Sequence, residues 1–137
     1  MRIVIDTNVL ISAIFWTGKP KQLLNKVRHR KVTFITSENL LAELREVLMR
    51  KDKPFKLSDE EADRIVSAMR SLAETVPTHS QVDVCQDERD NKVIECALDG
   101  KAECIISGDL HLLGLKSFRG VRMMTVSDFL NDFERLR

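Results

Sequence analysis

Tyrosine is absent from this chain and tryptophan occurs once, so aromatic residues make up only 5% of its 137 residues. A platform of rings for stacking single-stranded bases is therefore not visible in the sequence. Cysteine is scarce and odd in number: Cys85, Cys96 and Cys104 contain no CxxC pair, which argues against a zinc knuckle and a disulfide framework. Cys96 and Cys104 fall among apolar neighbours and read as small core residues, as expected of a protein kept in a reducing cytoplasm. No apolar run is long enough to span a bilayer, and Arg2 and Asp6 interrupt the pattern of a signal peptide. A dominant charge is missing as well. Lys and Arg number 22 against 21 Asp and Glu, which argues against a general polyanion-coating surface but permits a local basic patch. With no repeat, low-complexity tract or linker, the expectation is one domain over residues 1–137, long enough to bury a core.

What is present begins at the first strand. Ile3, Val4 and Ile5 are β-branched and continuous rather than alternating, the pattern of a strand covered on both faces. Asp6 follows where that strand should end, then Thr7 and Asn8, before Val9, Leu10 and Ile11 resume an apolar helical pattern. Asp and Thr are strongly preferred helix caps, so Asp6 alone reads first as a cap. In open parallel α/β sheets, however, ligands bind outside the carboxyl ends of the strands.

The same grammar recurs along the chain. Residues 32–36 form a second short strand, and Ser37 caps a helix with Leu40, Leu41, Leu44, Val47 and Leu48 as its apolar stripe. Glu43 sits at the edge of that stripe, where an ionised carboxylate needs a partner or a metal; Glu38 and Glu46 read as surface. Ser58 and Glu61 make a capping box, and residues 75–77 suggest a short edge strand. His79, without a local acidic or cysteine partner, reads as a loop residue. Asp87 and Asp90 precede Val93, Ile94, Ala97 and Leu98; Asp90 falls on the buried side of that helix's first turn, and Gly100 closes it. After the strand at residues 104–106, Ser107, Gly108 and Asp109 repeat the opening pattern, with Gly108 expected to allow a sharp turn. A last strand at 121–126 leads to a helix carrying Phe129, Leu130, Phe133 and Leu136. Strands alternating with helices predict an α/β fold with a parallel, doubly covered sheet.

Four acids thus stand where one site could form: Asp6, Glu43, Asp90 and Asp109, with neutral oxygens from Thr7, Asn8 and Ser107. Several facing carboxylates either rise in pKa or share a cation. A donor set of oxygens alone favours Mg²⁺ or Mn²⁺ over zinc, and Mg²⁺ sites of this type point to phosphodiester or phosphoryl chemistry. Basic residues Lys26, Arg28, Arg30 and Lys31 at one helix end read equally as a solvated terminus and as phosphate-backbone contacts; the charged connection at residues 50–56 suits either solubility or contact with a polyanion.

Taken together, Ile3-Val4-Ile5-Asp6-Thr7-Asn8, Glu43, Asp90-Asn91-Lys92-Val93-Ile94-Glu95-Cys96-Ala97 and Ser107-Gly108-Asp109 resemble, in order and separation, the PIN-domain family of ribonucleases, in particular its small VapC-like toxins. The resemblance runs through the whole chain. It departs at Glu88, where proline would be commoner, and at Cys96, which replaces a small residue. It implies a three-layer α/β/α fold with a mainly parallel sheet of about five strands. It also implies Mg²⁺- or Mn²⁺-dependent endonucleolytic hydrolysis of RNA, giving 5′-phosphate and 3′-hydroxyl products. Asp6, Glu43, Asp90 and Asp109 would be the catalytic and metal-binding acids, with Thr7, Asn8, Ser107 and Asp87 in support. An adjacent antitoxin and a homodimer are the partners such relatives suggest. Two other readings are a phosphatase with Asp6 as nucleophile, which Asn8 in place of a second acid disfavours, and a non-catalytic scaffold, since fold does not fix function.

Overall fold

The computed structural model describes residues 1–135. Five strands run parallel: β1 (Arg2–Ile5), β2 (Thr33–Thr36), β3 (Glu74–Thr75), β4 (Cys104–Ile106) and β6 (Val121–Met124). A sixth, β5 (Ser117–Phe118), pairs antiparallel with β6, and the spatial order is β3-β2-β1-β4-β6-β5. The sheet thus has the expected parallel core plus one two-residue edge strand. That edge hairpin was not anticipated because its two-residue turn, Arg119-Gly120, lacks the usual Asn-Gly signature, although both residues take the positive φ such turns require (47° and 86°).

The continuous apolar strands are explained by helices on both faces. Ile3, Ile5, Phe34, Cys104, Ile106 and Met124 point into one core with helices α1 (Thr7–Phe15), α2 (Lys19–Arg28), α4 (Asp59–Leu72) and α7 (Val126–Arg135). Val4, Ile35, Ile105 and Met123 point into the other, against α5 (Glu88–Asp99) and α6 (Leu110–Leu113). Helix α3 (Glu38–Leu48) serves both, with Leu41 and Leu44 in the first core and Leu40 in the second. The result is a three-layer α/β/α sandwich. All three cysteines are buried and free, Cys85 included.

Most predicted boundaries hold. Ser37 and Ser58 cap their helices, the latter in a full capping box with Glu61. Gly100 follows α5 where a Cβ would lie 2.4 Å from the Ile35 methyl, so that helix end meets β2 at a distance only glycine permits. Gly108 differs from expectation: its φ is not positive and a Cβ there would meet nothing within 4 Å, so the turn after β4 does not require glycine. The edge strand predicted at 75–77 is β3, one residue earlier. Leu136 lies outside the described residues. No helix among the described residues is long and apolar enough to cross a membrane.

The chain leaves β1 for β2 and β3 on one side, then returns to place β4 on the other side of β1. This reversal opens a crevice at the carboxyl ends of β1 and β4, the position where open parallel sheets hold ligands.

Candidate active site

Asp6 and Asp109 flank that crevice. Asp6 caps α1 with one carboxylate oxygen, accepting from the Thr7 amide at 2.8 Å, while the other accepts from the Ser107 hydroxyl at 2.7 Å. The same Ser107 oxygen accepts from the Asp109 amide at 2.9 Å, tying the ends of two neighbouring strands together. Asp109 in turn caps α6 by accepting from the His111 amide at 2.7 Å. Across the cleft the Thr7 hydroxyl donates to Glu43 Oε2 at 2.7 Å. The capping role and the site position therefore belong to the same side chains.

Asp6, Glu43, Asp90 and Asp109 line one cleft of about 200 Å³, together with Thr7, Asn8 and Asp87. All four acids that the sequence singled out are brought together, although they come from four separate places in the chain. Ser107 reaches the cleft through its bond to Asp6. Asp87 sits at the rim as the cap of α5, exposed and paired with Arg89 at 3.2 Å.

The electrostatics of this cleft are unfavourable for carboxylates alone. Burial raises the Asp6 carboxyl above its ordinary value despite the Ser107 and Thr7 bonds that favour its charged form, and Asp109 adds repulsion. Burial also raises Glu43, opposed by its Thr7 bond and reinforced by Asp6. Asp90 is pushed up to about 6, first by burial and then by the charges of Asp109, Asp87 and Asp6. Among the described residues, no three His, Cys, Asp or Glu side chains stand close enough to form a ready-made metal cage. The donor set is nonetheless oxygen only and made of mutually repelling carboxylates, which suits a hard divalent cation that keeps part of its water shell.

Arg50, Lys53 and Arg89 share the cleft with the acids. Arg89 was missed in the sequence because it sits among acids at a helix start, and only the fold shows that it faces Glu43 rather than solvent alone. By contrast, Lys26, Arg28, Arg30 and Lys31 lie at the opposite end of the sheet, where α2 leads into the start of β2. There Lys26 is occupied by Glu134 at 3.6 Å and by the Phe133 ring at 4.6 Å. His79 is in a loop as expected, but it has an acidic partner twenty residues on: its amide donates to Asp99 at 2.8 Å.

An acidic cleft at the switch point of a three-layer parallel sheet marks an α/β protein whose ligand site lies at the carboxyl ends of its strands. Comparison with known proteins gives the family: a PIN-domain family model matches residues 2–111, and the chain belongs to the PIN-domain family. It is 30% identical to the uncharacterized protein MJ1680 of Methanocaldococcus jannaschii, covering 98% of this chain and 93% of that one. Among solved structures it is similar in fold to a chain of VapBC2 from Rickettsia felis bound to a DNA fragment from their promoter. There the TM-score is 0.64 at 14% identity, over 91% of this chain and 98% of that one. The PIN domain of T. brucei RRP44 gives a TM-score of 0.51 at 13% identity, covering 98% of this chain and 81% of that one.

Proposed function

We propose that this single-domain protein is a divalent-metal-dependent endoribonuclease, the toxin of a toxin-antitoxin pair, acting in the cytoplasm. The observation that carries the reading is the convergence of Asp6, Glu43, Asp90 and Asp109 on one cleft whose rim bears Arg50, Lys53 and Arg89. PIN-family membership and the fold shared with a chain of VapBC2 support the same class of activity and partner.

In this reading Asp6, Asp90 and Asp109 would hold one or two Mg²⁺ or Mn²⁺ ions, with Glu43 as a further ligand or as the group that would orient the attacking water. When bound, such an ion lowers the pKa of water and neutralises charge on the phosphate. The chain's own groups do the rest. Ser107 fixes the Asp6 carboxylate and Thr7 fixes Glu43, so two acids from distant segments are aimed before RNA arrives. Asn8 and Asp87 add polar oxygens at the margin, and Arg50, Lys53 and Arg89 attract the phosphate backbone. Lys26, Arg28, Arg30 and Lys31 remain a more distant contact for a long RNA. An antitoxin would act by covering the cleft, and a homodimer is the assembly expected of such relatives.

The test is cleavage of single-stranded RNA by purified protein with Mn²⁺ or Mg²⁺, beside the Asp6→Asn variant. Metal-stimulated cleavage that disappears in Asp6→Asn, with the variant's circular dichroism unchanged, supports the proposal. A wild-type protein inert with both ions leaves a non-catalytic scaffold as the better reading.

A further inference from the structure

We propose that Trp16, Phe55 and the basic connection between α3 and α4 form a track for single-stranded RNA leading away from the acidic cleft, with a base stacked on Trp16. The inference rests on the nuclease reading above and names where the chain of that substrate runs.

Arg50, Lys51, Lys53 and Lys56 crowd one short connection in which Asp52 is the only acid. Arg50 and Lys53 line the acidic cleft. Arg50 also lines an adjoining groove of about 340 Å³ with Lys51 and Lys56, so one side chain forms a wall of both. Among the described residues, Lys51, Lys53 and Lys56 form no ion pair, unlike Lys26 at the other end of the sheet. Two residues beyond Lys53, and so within about 7 Å along the chain, Phe55 stacks on Phe15 with ring centres 4.3 Å apart and planes at 3°. Trp16 meets Phe55 edge-to-face at 6.5 Å and Phe15 at 6.0 Å, yet remains 50% exposed.

The phenylalanine stack holds the indole in place, and a half-exposed large ring on a soluble surface has a cost unless something covers it. Neighbouring lysines select the occupant. A second copy of this face would bring like charges together, whereas a single-stranded nucleic acid offers phosphates to the lysines and flat bases to the indole. Chain adjacency and ring contact link these groups in order: Arg50 and Lys53 at the acids, Phe55 two residues on from Lys53, and Trp16 against Phe55.

The chain has one Trp and no Tyr, so its tryptophan emission reports on this position alone. The Asp6→Asn protein, which does not consume the probe, is titrated with an end-labelled single-stranded RNA of mixed sequence while anisotropy and Trp emission are followed together. The expected result is saturable quenching with the same midpoint as the anisotropy change. Trp16→Ala should weaken binding about tenfold, within the range for loss of one base–aromatic stack, and Trp16→Phe should restore most of it. Binding without any change in Trp emission, equal affinity of Trp16→Ala, or no binding by either readout overturns the track. So does emission that responds to protein concentration alone, which would mean a second copy covers the ring. A wild-type enzyme that cleaves RNA while Trp16 stays silent removes the track and leaves the nuclease reading standing; a wild type that never cleaves removes the nuclease reading itself.

Discussion

Along helix α5, Asn91, Glu95 and Asp99 recur every fourth residue, while Asp90 stands one position off that row. The segment at 79–85 runs antiparallel beside the row and donates its backbone to it. Val84 and Cys85 amides bond Asn91 Oδ1 at 3.2 and 2.8 Å, the Val82 amide bonds Glu95 at 3.0 Å, and the His79 and Ser80 amides bond Asp99 at 2.8 and 3.0 Å. The Ser80 hydroxyl adds a further bond to Asp99. Asp90, 7% exposed, receives no hydrogen bond to its carboxylate among the described residues. Within one helix, then, some buried acids are surrounded by N–H donors and one is surrounded by other acids. Desolvation works against Asp99, yet the Ser80 and His79 donors hold it below the usual carboxylate range, whereas Asp90 rises to about 6. Donors from the fold hold Asp99 in its charged form, whereas Asp90, buried among other acids without them, is driven toward its neutral form.

The sharpest way to break this contrast is to neutralise one acid from each group. Asp90→Asn should reduce metal-stimulated RNA cleavage about a thousandfold, the several kcal/mol that metal-assisted charge stabilisation supplies. It should also make the metal-free protein more stable by about 1 kcal/mol, because it removes a buried charge and then its repulsion from Asp109, Asp87 and Asp6. Mn²⁺ should raise the Tm of wild type, by mass action on the folded state, and move Asp90→Asn far less. Single-turnover cleavage and thermal melts with and without Mn²⁺ check both halves. An Asp90→Asn protein that is less stable and still cleaves would show that Asp90 belongs with the structural acids.

Asp99→Ala should behave in the opposite way. Loss of a buried acceptor that serves two amides and a hydroxyl costs about 2 kcal/mol, read as a lower urea midpoint, with cleavage per folded molecule retained. Its pH dependence follows from the depressed acid. A carboxyl whose folded pKa lies below its unfolded value stabilises the fold above the unfolded value, near 3.9, and that contribution is lost as pH falls through the folded value. The stability gap between wild type and Asp99→Ala should therefore be full at pH 6 to 7, by about 2 kcal/mol, and shrink below about pH 4. A gap that is constant with pH would assign the effect to packing instead.

These two groups were not equally legible in the sequence. Asp6 and Asp109 could be found because each stands within three residues of the end of an apolar strand, and strand ends are visible from composition. Glu43 and Asp90 could be placed on a helix face by spacing from Leu40, Val47, Val93 and Ile94. The row at 91, 95 and 99 has the same helical spacing, but its partners are main-chain amides of an irregular segment that carries no periodic signal. The pairing of His79 with Asp99 was hidden for the same reason, since it depends on where a loop lies, whereas Arg89 was masked by the acids around it at the start of α5. The sheet's parallel core was readable from its apolar runs, whereas β5 was not, since two residues bounded by an Arg-Gly turn give almost no pattern.

The smallest effect concerns basic residues at the two ends of the strands. If attraction to RNA resides at the cleft, replacing Arg50 and Lys53 together with alanine should weaken binding and reduce the steepness of its salt dependence. Every phosphate left without its cationic partner lowers the slope of log affinity against log salt by about 0.7 for a single strand. Arg28 and Arg30 lie beyond the amino end of β2, around a separate polar hollow with Ser71 and Leu72, so a short RNA filling the cleft has no reason to reach them. Replacing those two should leave the slope for a short RNA unchanged and alter it only for a long one. Equal slope changes for both pairs with a short RNA would mean that the substrate crosses the whole face, from the acids to the base of α2.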